Sequence, residues 1–313
     1  MNFSDGYGIS PRWREVMVFL GQEACYGKGA EELELLFGLP MSQAQIHRLT
    51  QHYGQRSGTL LEEEQPVEAV SEHEVIYAEV DGSMVFTRQA GWQEVKVGRR
   101  FRSSHCLATS SQRGTIHASS YVAHLGKHTA FEAKMAVILD GYEALNERLV
   151  FLTDGAPWIA NWIKAEYPKA TAILDVFHAK EYLSEFLQGH FGKQDHQQRF
   201  DAWSADLLNQ GGQAIIERVQ ALPIDSRAQQ QAQDKLLNYY QANAYRMHYP
   251  DYRQRGLQIG SGAIEAAHRT VVQSRLKLSG QRWSRNGAQN VLNLRTLRMS
   301  GRWYQLQQTL RAA

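Results

Sequence analysis

Three acidic residues stand where carboxylates can do metal-assisted chemistry. Asp81 closes an apolar, strand-like run (VIYAEVD), Asp154 closes another (RLVFLTDG), and Glu265 lies in the glycine-flanked helix start QIGSGAIEAAHR. From Arg255 to the C-terminus there are ten Lys or Arg residues, and Glu265 is the only acid among them. Crowded carboxylates repel one another and need cations between them. An all-oxygen set suits Mg²⁺ or Mn²⁺, which share phosphate oxygens with their protein ligands. Two such ions, about 3.5–4 Å apart, would activate a nucleophile and stabilise the leaving oxygen of an in-line phosphoryl displacement. Glu265 would then be tolerated among cations because metal and phosphate lie between the charges.

Each residue also has a plain structural use. Asp81-Gly82 is a hairpin-turn signal and Asp154-Gly155 a turn before a helix. A capping role suits Glu265 poorly, because Ser261 lies four residues before it rather than three and Gly262 has no hydroxyl. Gly260 and Gly262, lacking a Cβ, would let a phosphate or another backbone come close to the helix start. Asp175 and His178, in DVFH, add an acid and a histidine at the end of a further strand, where they could hold a fixed hydrogen bond beside Asp154, touch the scissile strand or orient a metal-bound carboxylate. His105, Cys106, His117, His124 and His128 cluster in sequence, but there is no CxxC, and Gly126 speaks against a helical His124/His128 pair, so zinc is a minor reading. Trp158 and Trp162, at i and i+4, read as core, while Trp283 between Arg282 and Arg285 is the better platform for base stacking.

The elements that must position these residues follow from the hydrophobic period. Three strand candidates, 75–81, 83–87 and 92–101, are joined by short turns and expected to be antiparallel. A Ser- and His-containing stretch follows, then a helix at about 129–142. Next come strand 148–155, helix 157–167 with Pro157 in its first turn, and strand 170–178. From there to about 250 the text is helical and Gln-rich, and 262–275 and 284–299 are again helical. The expected fold class is α/β, with a mixed sheet flanked by helices. If the first and fourth strands are neighbours, Asp81 and Asp154 project from one end of the sheet.

Before the sheet, 11–24 and 30–53 read as helices. SQAQ at 42–45 is a capping-box pattern, and 30–53 resembles a helix-turn-helix with Gln43, His47, Arg48 and Gln51 as base readers. Glu31, Glu32 and Glu34 count against that reading. A polar connector, 54–73, separates this part from the sheet. Lys96, Arg99, Arg100 and Arg102 form a second basic span that could join the C-terminal one as a phosphate-binding surface.

A hydrophobic content of 43% and a charged content of 21% are those of an ordinary globular protein and argue against a disordered chain. The apolar runs are too short to span a bilayer, and the first residues do not read as a signal peptide. Two cysteines, Cys25 and Cys106, make no disulfide framework, so a cytoplasmic protein is expected.

The segments YAEVDGSMV, WQEVKVGRRF, LVFLTDGAPWIANWIKAEYPKATAILDVFHAKEYL and IGSGAIEAAHRTVVQSRLKLSGQRWSRNGAQNVLNLRTLRMSGRW, in this order between about 75 and 303, resemble bacterial insertion-sequence transposases of the ISKra type. These are DDE-class enzymes, similar to the Mutator-like group. The resemblance implies a ribonuclease-H-like domain, 71–180 plus 256–313, interrupted by an all-helical insertion at 181–255, after a small helical region at 1–70. It makes Asp81, Asp154 and Glu265 the metal-binding triad for two Mg²⁺ (or Mn²⁺) ions, and it matches Asp175 and His178 to a D-x-x-H signature. Arg269, Arg275, Lys277, Arg282, Trp283, Lys96 and Arg99 become the expected DNA contacts. The implied activity is cutting and joining of the element's terminal inverted repeats and target DNA, by a homo-oligomer on DNA associated with the nucleoid. The chain looks short at its N-terminus for such an enzyme, so part of the end-recognition apparatus would be missing or supplied by the oligomer. Two alternatives remain: a catalytically silent DNA-binding protein acting through 30–53, and a nuclease of the same fold that only hydrolyses.

Overall fold

The computed structural model describes residues 8–63, 69–110 and 113–312. Residues 1–7 of the expected N-terminal region and 64–68 of the expected connector lie outside them. The protein is mixed α/β. Seven strands are present among the described residues: β1 (Ile76–Thr87), β2 (Gly91–Arg102), β3 (Cys106–Ser110), β4 (Arg113–Ile116), β5 (Ser120–Leu125), β6 (Leu149–Thr153) and β7 (Thr171–Leu174). Five of them form a sheet in the order β5-β2-β1-β6-β7, and β3 pairs with β4 in a separate hairpin. The sheet is mixed. β2 and β5 run antiparallel, from Val95↔Leu125 to Arg100↔Ser120, whereas β6 and β7 are parallel, from Val150↔Thr171 to Thr153↔Leu174. No described helix is long and apolar enough to cross a membrane.

Two sequence expectations about strands are corrected. The two strands expected at 75–81 and 83–87 are one, because Asp81-Gly82 makes no turn. Gly82 does not take a left-handed φ, and a Cβ there would lie 2.6 Å from Glu94 Oε1. Its glycine thus answers a close side chain rather than a bend. The bend comes at 88–90, ahead of Gly91 at φ 66°. The Ser- and His-containing stretch, expected to carry no strand, holds β3, β4 and β5; its polar residues blur the alternation that marks a half-buried strand.

The chain divides into two compact units: residues 1–76, 81–144 and 263–313, and residues 77–80 and 145–262. In the first, helices Pro11–Glu23 and Gln43–Glu62 pack on the C-terminal helices Arg285–Met299 and Trp303–Ala312, and Tyr26–Phe37 packs on the first two. Leu33, Ile46, Leu49 and Tyr53 are buried with Leu294, Leu297, Leu306 and Leu310. The Ser42 capping box is formed, with Gln45 N–H donating to Ser42 Oγ at 3.2 Å. The connector expected from residue 54 is instead helical to Glu62. Gly54 and Gly58, which read as loop residues, face the Arg285–Met299 helix, where a Cβ on Gly54 would meet the Asn290 carbonyl at 2.5 Å. They are there for close helix packing, not for flexibility.

In the second unit β6 is buried throughout, with Phe151 edge-on to Trp162 at 5.6 Å. The helices expected as an insertion at 181–255 belong to this unit. They are tied to the strands by buried tyrosines: Tyr249 and Tyr252 donate to the Leu174 and Ala172 carbonyls at 3.0 and 3.3 Å. Hydroxyl donors of this kind satisfy backbone acceptors at strand ends that would otherwise be buried without partners.

Candidate active site

In the second unit, the local chemistry begins with two adjacent parallel strands. Asp154 is the first residue after β6 and Asp175 the first after β7, and Thr153 pairs with Leu174 immediately before them. Both acids therefore leave the sheet at the carboxyl ends of the strands, where open α/β sheets bind their ligands. Asp154 Oδ1 accepts from the Ala156 N–H at 2.9 Å, which closes the turn into the Pro157–Glu166 helix.

Asp175 is fully buried and caps the helix Val176–Phe191. Its Oδ2 accepts from His178 Nδ1 at 2.7 Å and from the His178 backbone at 3.2 Å. Its Oδ1 accepts from the Ser261 N–H at 2.9 Å, and Val176 N–H donates to the Ile259 carbonyl at 2.9 Å. Asp175 thus holds the chain four residues before Glu265. Burial alone would raise its pKa, but the hydrogen bonds from His178 and Ser261 outweigh that and hold the carboxyl below its ordinary range. The same bond to Asp175, against the cost of burial, pushes His178 up to about 9 with help from Glu181 and Asp154. His178 is therefore an imidazolium at neutral pH, half-buried and fixed in orientation.

Sequence reasoning missed two neighbours of Asp154. Arg246 is wholly buried, with its guanidinium donating to Thr153 Oγ1 at 2.9 Å and to Asn243 Oδ1 at 2.6 Å. Burial presses its pKa down, while nearby tyrosines and Asp154 oppose the shift. Tyr239 stacks face to face on Tyr182, centroids 3.7 Å apart. Desolvation, then Tyr182, raises its pKa. Nothing in the Gln-rich helical text marks either residue. A Cβ on Gly155 would lie 2.3 Å from Tyr239 Cε2. Gly155→Ala should accordingly cost about 1–3 kcal/mol in denaturant unfolding, whereas Gly262→Ala, with nothing within 4 Å, should stay within about 0.5 kcal/mol. Equal effects in the two variants would remove the packing explanation for Gly155.

A cavity of about 930 Å³ in this unit reaches Gly155 and is lined by Lys164, Tyr245, Tyr252 and Arg255, but not by Asp154, Asp175 or His178. Its size does not make it the site.

In the first unit, Asp81 lies within β1, at the point where the strand's burial gives way to alternation. Its Oδ1 accepts from the Gly82 N–H at 2.7 Å, and its Oδ2 is 3.3 Å from His268 Nε2. His268 is 3% exposed and opens a π-helical turn, His268–Gln273, directly after the short helix Gly262–Ala267 that carries Glu265. Single π-turns of this kind recur at functional sites. Burial lowers the His268 pKa against the pull of Asp81. Its spacing, three residues after Glu265, is the signal that could have found it. Glu265 itself is exposed. Of the two glycines before it, Gly260 is packed, since a Cβ there would strike the Phe177 ring at 2.7 Å, whereas Gly262 faces open space.

Four of the expected DNA contacts are enclosed. Lys96 is bound to Glu94 and the Gly126 carbonyl at 2.5 and 2.9 Å. Arg99 donates to Ser119 Oγ and the Ala263 carbonyl, both at 2.9 Å. Arg275 is 1% exposed and donates to the Gly21 carbonyl at 3.1 Å. Trp283 is 8% exposed, its indole N–H donating to the Leu276 carbonyl at 3.1 Å. Their polar groups satisfy buried backbone instead of reaching solvent. Arg269, Lys277 and Arg282 are exposed. Of the cysteine and histidine cluster, the His105 and His117 rings lie 5.1 Å apart. Among the described residues, no three His, Cys, Asp or Glu side chains are gathered into a ready metal-binding group.

The family model described as "Uncharacterised protein family (UPF0236)" matches residues 2–309. The chain is 23% identical over 305 residues to a "UPF0236 protein in vanSb 3'region" of Streptococcus gallolyticus, a similarity covering 93% of this chain and 64% of that protein. The chain thus spans less than two thirds of that relative's length.

Proposed function

The chain belongs to the uncharacterised protein family UPF0236, and from that premise we propose that it is a DDE-class DNA transposase of the insertion-sequence (ISKra) type with a ribonuclease-H-like catalytic domain. The observation that carries the reading is the pair Asp154 and Asp175 at the carboxyl ends of adjacent parallel strands, with a charged His178 locked to the second. Two further features support it. β1 neighbours β6 in the sheet order, with Asp81 one residue past the Tyr77–Val80 segment that is grouped with β6. Asp175 Oδ1 accepts from the Ser261 N–H, four residues before Glu265.

Asp81, Asp154 and Glu265 are an all-oxygen donor set, the chemistry that suits Mg²⁺ or Mn²⁺. When bound, the ions would activate the attacking hydroxyl and stabilise the leaving oxygen. The protein's own residues hold the geometry. Asp175 fixes His178 as a cation that can pair with a phosphate oxygen, Arg246 supplies buried positive charge behind Asp154, and Arg269, Lys277 and Arg282 offer exposed cations to the DNA backbone. In the first displacement water forms a P–O bond at the element end as the existing one breaks, leaving a 3′-hydroxyl. In the second, that hydroxyl gives up its proton and attacks a target phosphodiester, whose own P–O3′ bond breaks to release a protonated target 3′-hydroxyl, with no covalent enzyme intermediate.

The test is incubation of the purified chain with DNA taken from both sides of its gene, where inverted repeats are expected. Mg²⁺-dependent nicks with 3′-hydroxyl ends, and joined strand-transfer products, are expected. Nicks without joining would leave a hydrolytic nuclease. Bound but uncut DNA in both Mg²⁺ and Mn²⁺ would leave a non-catalytic DNA-binding protein.

A further inference from the structure

A second site lies wholly in the first unit. A cavity of about 370 Å³ is lined by Tyr26, His47, Arg88, Arg275, Arg282 and Trp283, with Cys25 also among its lining residues. That volume falls in the range of about 300–1,000 Å³ typical of ligand pockets.

Its charge is one-sided. Three guanidinium-bearing residues line it, and no Asp or Glu does. The arrangement is held by the backbone: Arg88 N–H donates to the Trp283 carbonyl at 2.8 Å and Trp283 N–H to the Phe86 carbonyl at 3.2 Å. Arg88 Nε also donates to the Arg282 carbonyl at 3.2 Å. Two exposed arginines are thereby kept side by side with no carboxylate lining the cavity beside them, an arrangement that an anion relieves.

The remaining wall is aromatic. The Arg275 guanidinium sits 4.9 Å from the Tyr26 ring and 4.8 Å from the Trp283 ring, and His47 meets Tyr26 edge-on at 5.0 Å. Burial, then Arg88, lowers the His47 pKa, so its ring is a neutral partner. Three of the four residues expected to read bases, Gln43, His47 and Gln51, line this hollow. Gln51 is further engaged with the Tyr26 hydroxyl at 3.2 Å and with Asn290 at 2.9 Å.

We infer that this pocket takes one unpaired nucleotide of a DNA strand, its phosphate on Arg88 and Arg282 and its base against Tyr26 and His47. Guanidiniums bind phosphate bidentately, and single-stranded bases stack on aromatic and guanidinium faces. The inference rests on the DNA reading above but not on catalysis. It replaces insertion of the Gln43–Glu62 helix into a groove with capture of a splayed-out nucleotide.

Cys25 is an exposed free thiol at the pocket and serves as its reporter, and Cys106 as an internal reference. The experiment measures iodoacetamide alkylation of both cysteines by mass spectrometry, with and without a saturating single-stranded dodecamer. Affinity is followed in parallel by anisotropy of a 3′-labelled strand. The expected result is several-fold slower alkylation of Cys25 alone, with less protection by the blunt duplex. The double variant Arg88→Gln/Arg282→Gln should bind the dodecamer about tenfold more weakly, with the salt slope reduced by about 0.7 for the one phosphate released, while Arg227→Gln, an exposed arginine of the other unit, should leave both unchanged. Binding with Cys25 alkylated at its free rate, equal protection by duplex, or a double variant that binds like Arg227→Gln would each overturn the pocket assignment. Failure to bind either DNA form would instead bring down the DNA reading itself.

Discussion

Asp154→Asn is expected to lower Mg²⁺-dependent nicking of end-containing DNA by about a thousandfold or more, with little change in DNA affinity. The same holds for Asp81→Asn and Glu265→Gln. Losing one carboxylate from a divalent-ion site removes several kcal/mol of transition-state stabilisation, and about 4 kcal/mol corresponds to about a thousandfold. These variants should fold. Asn can still accept the Ala156 N–H at position 154 and the Gly82 N–H at position 81, as the aspartates do, and Glu265 is exposed. A binding isotherm beside each nicking assay separates lost chemistry from lost DNA. Near-normal nicking in any one variant would take that residue out of the triad.

Asp175→Asn is the second large expected effect, and it is one of stability as well as activity. The carboxylate is wholly buried and bonded on one side to His178 and on the other to Ser261. Removing its charge strands a partly buried cation, for which about 2–4 kcal/mol is a reasonable cost, given that His178 can relax by losing its proton. The His178 pKa should then fall from about 9 to near or below its ordinary value, measured by the pH dependence of its ring resonances. The sign of the accompanying pH effect follows from linkage. His178 is raised on folding, so its contribution is complete below its ordinary value of 6.5 and disappears as pH rises through about 9. Asp175 is depressed, so its contribution is present above its ordinary 3.8 and disappears as pH falls through the folded value. Thermal unfolding of the natural protein should thus show a stability loss between pH 6.5 and 9.5 that the variant lacks. Parallel curves for the two proteins would exclude the pair as the origin.

The elements nearest the acids were legible because their signals are local. An apolar run ending in Asp, followed by Gly and Pro, marks a strand entering a helix, and β6 lies within the expected 148–155, whereas the strand expected at 170–178 ends at Leu174 and residues 176–178 are already helical. DVFH, expected to end the strand, instead opens the helix, because the Asp175 carboxylate at the N-cap accepts from the backbone three residues on. Ser42 and Gln45 form their box for the same reason.

Glycines misled wherever their reason was a distant neighbour. Gly82 looked like a turn and answers Glu94, Gly54 looked like a linker and answers Asn290, and Gly260 looked like a phosphate cradle and answers Phe177. A glycine's local freedom is visible in a sequence, whereas the side chain that forbids a Cβ arrives from elsewhere in the chain.

By itself, the sequence determined the α/β alternation, the apolar strand signals that lead to Asp154 and Asp175, and the basic character of the C-terminal region, while the parallel pairing of those two strands came from the fold. Tertiary structure alone decided which cations are exposed. Arg275, Arg99 and Lys96 read like Arg269 and Lys277, yet the first three are buried and bound to carbonyls. It also decided that His268 meets Asp81 and that Arg246 sits beneath Asp154's strand. Charge is a property of the residue, but exposure and partnership depend on what folding brings against it, often from more than a hundred residues away.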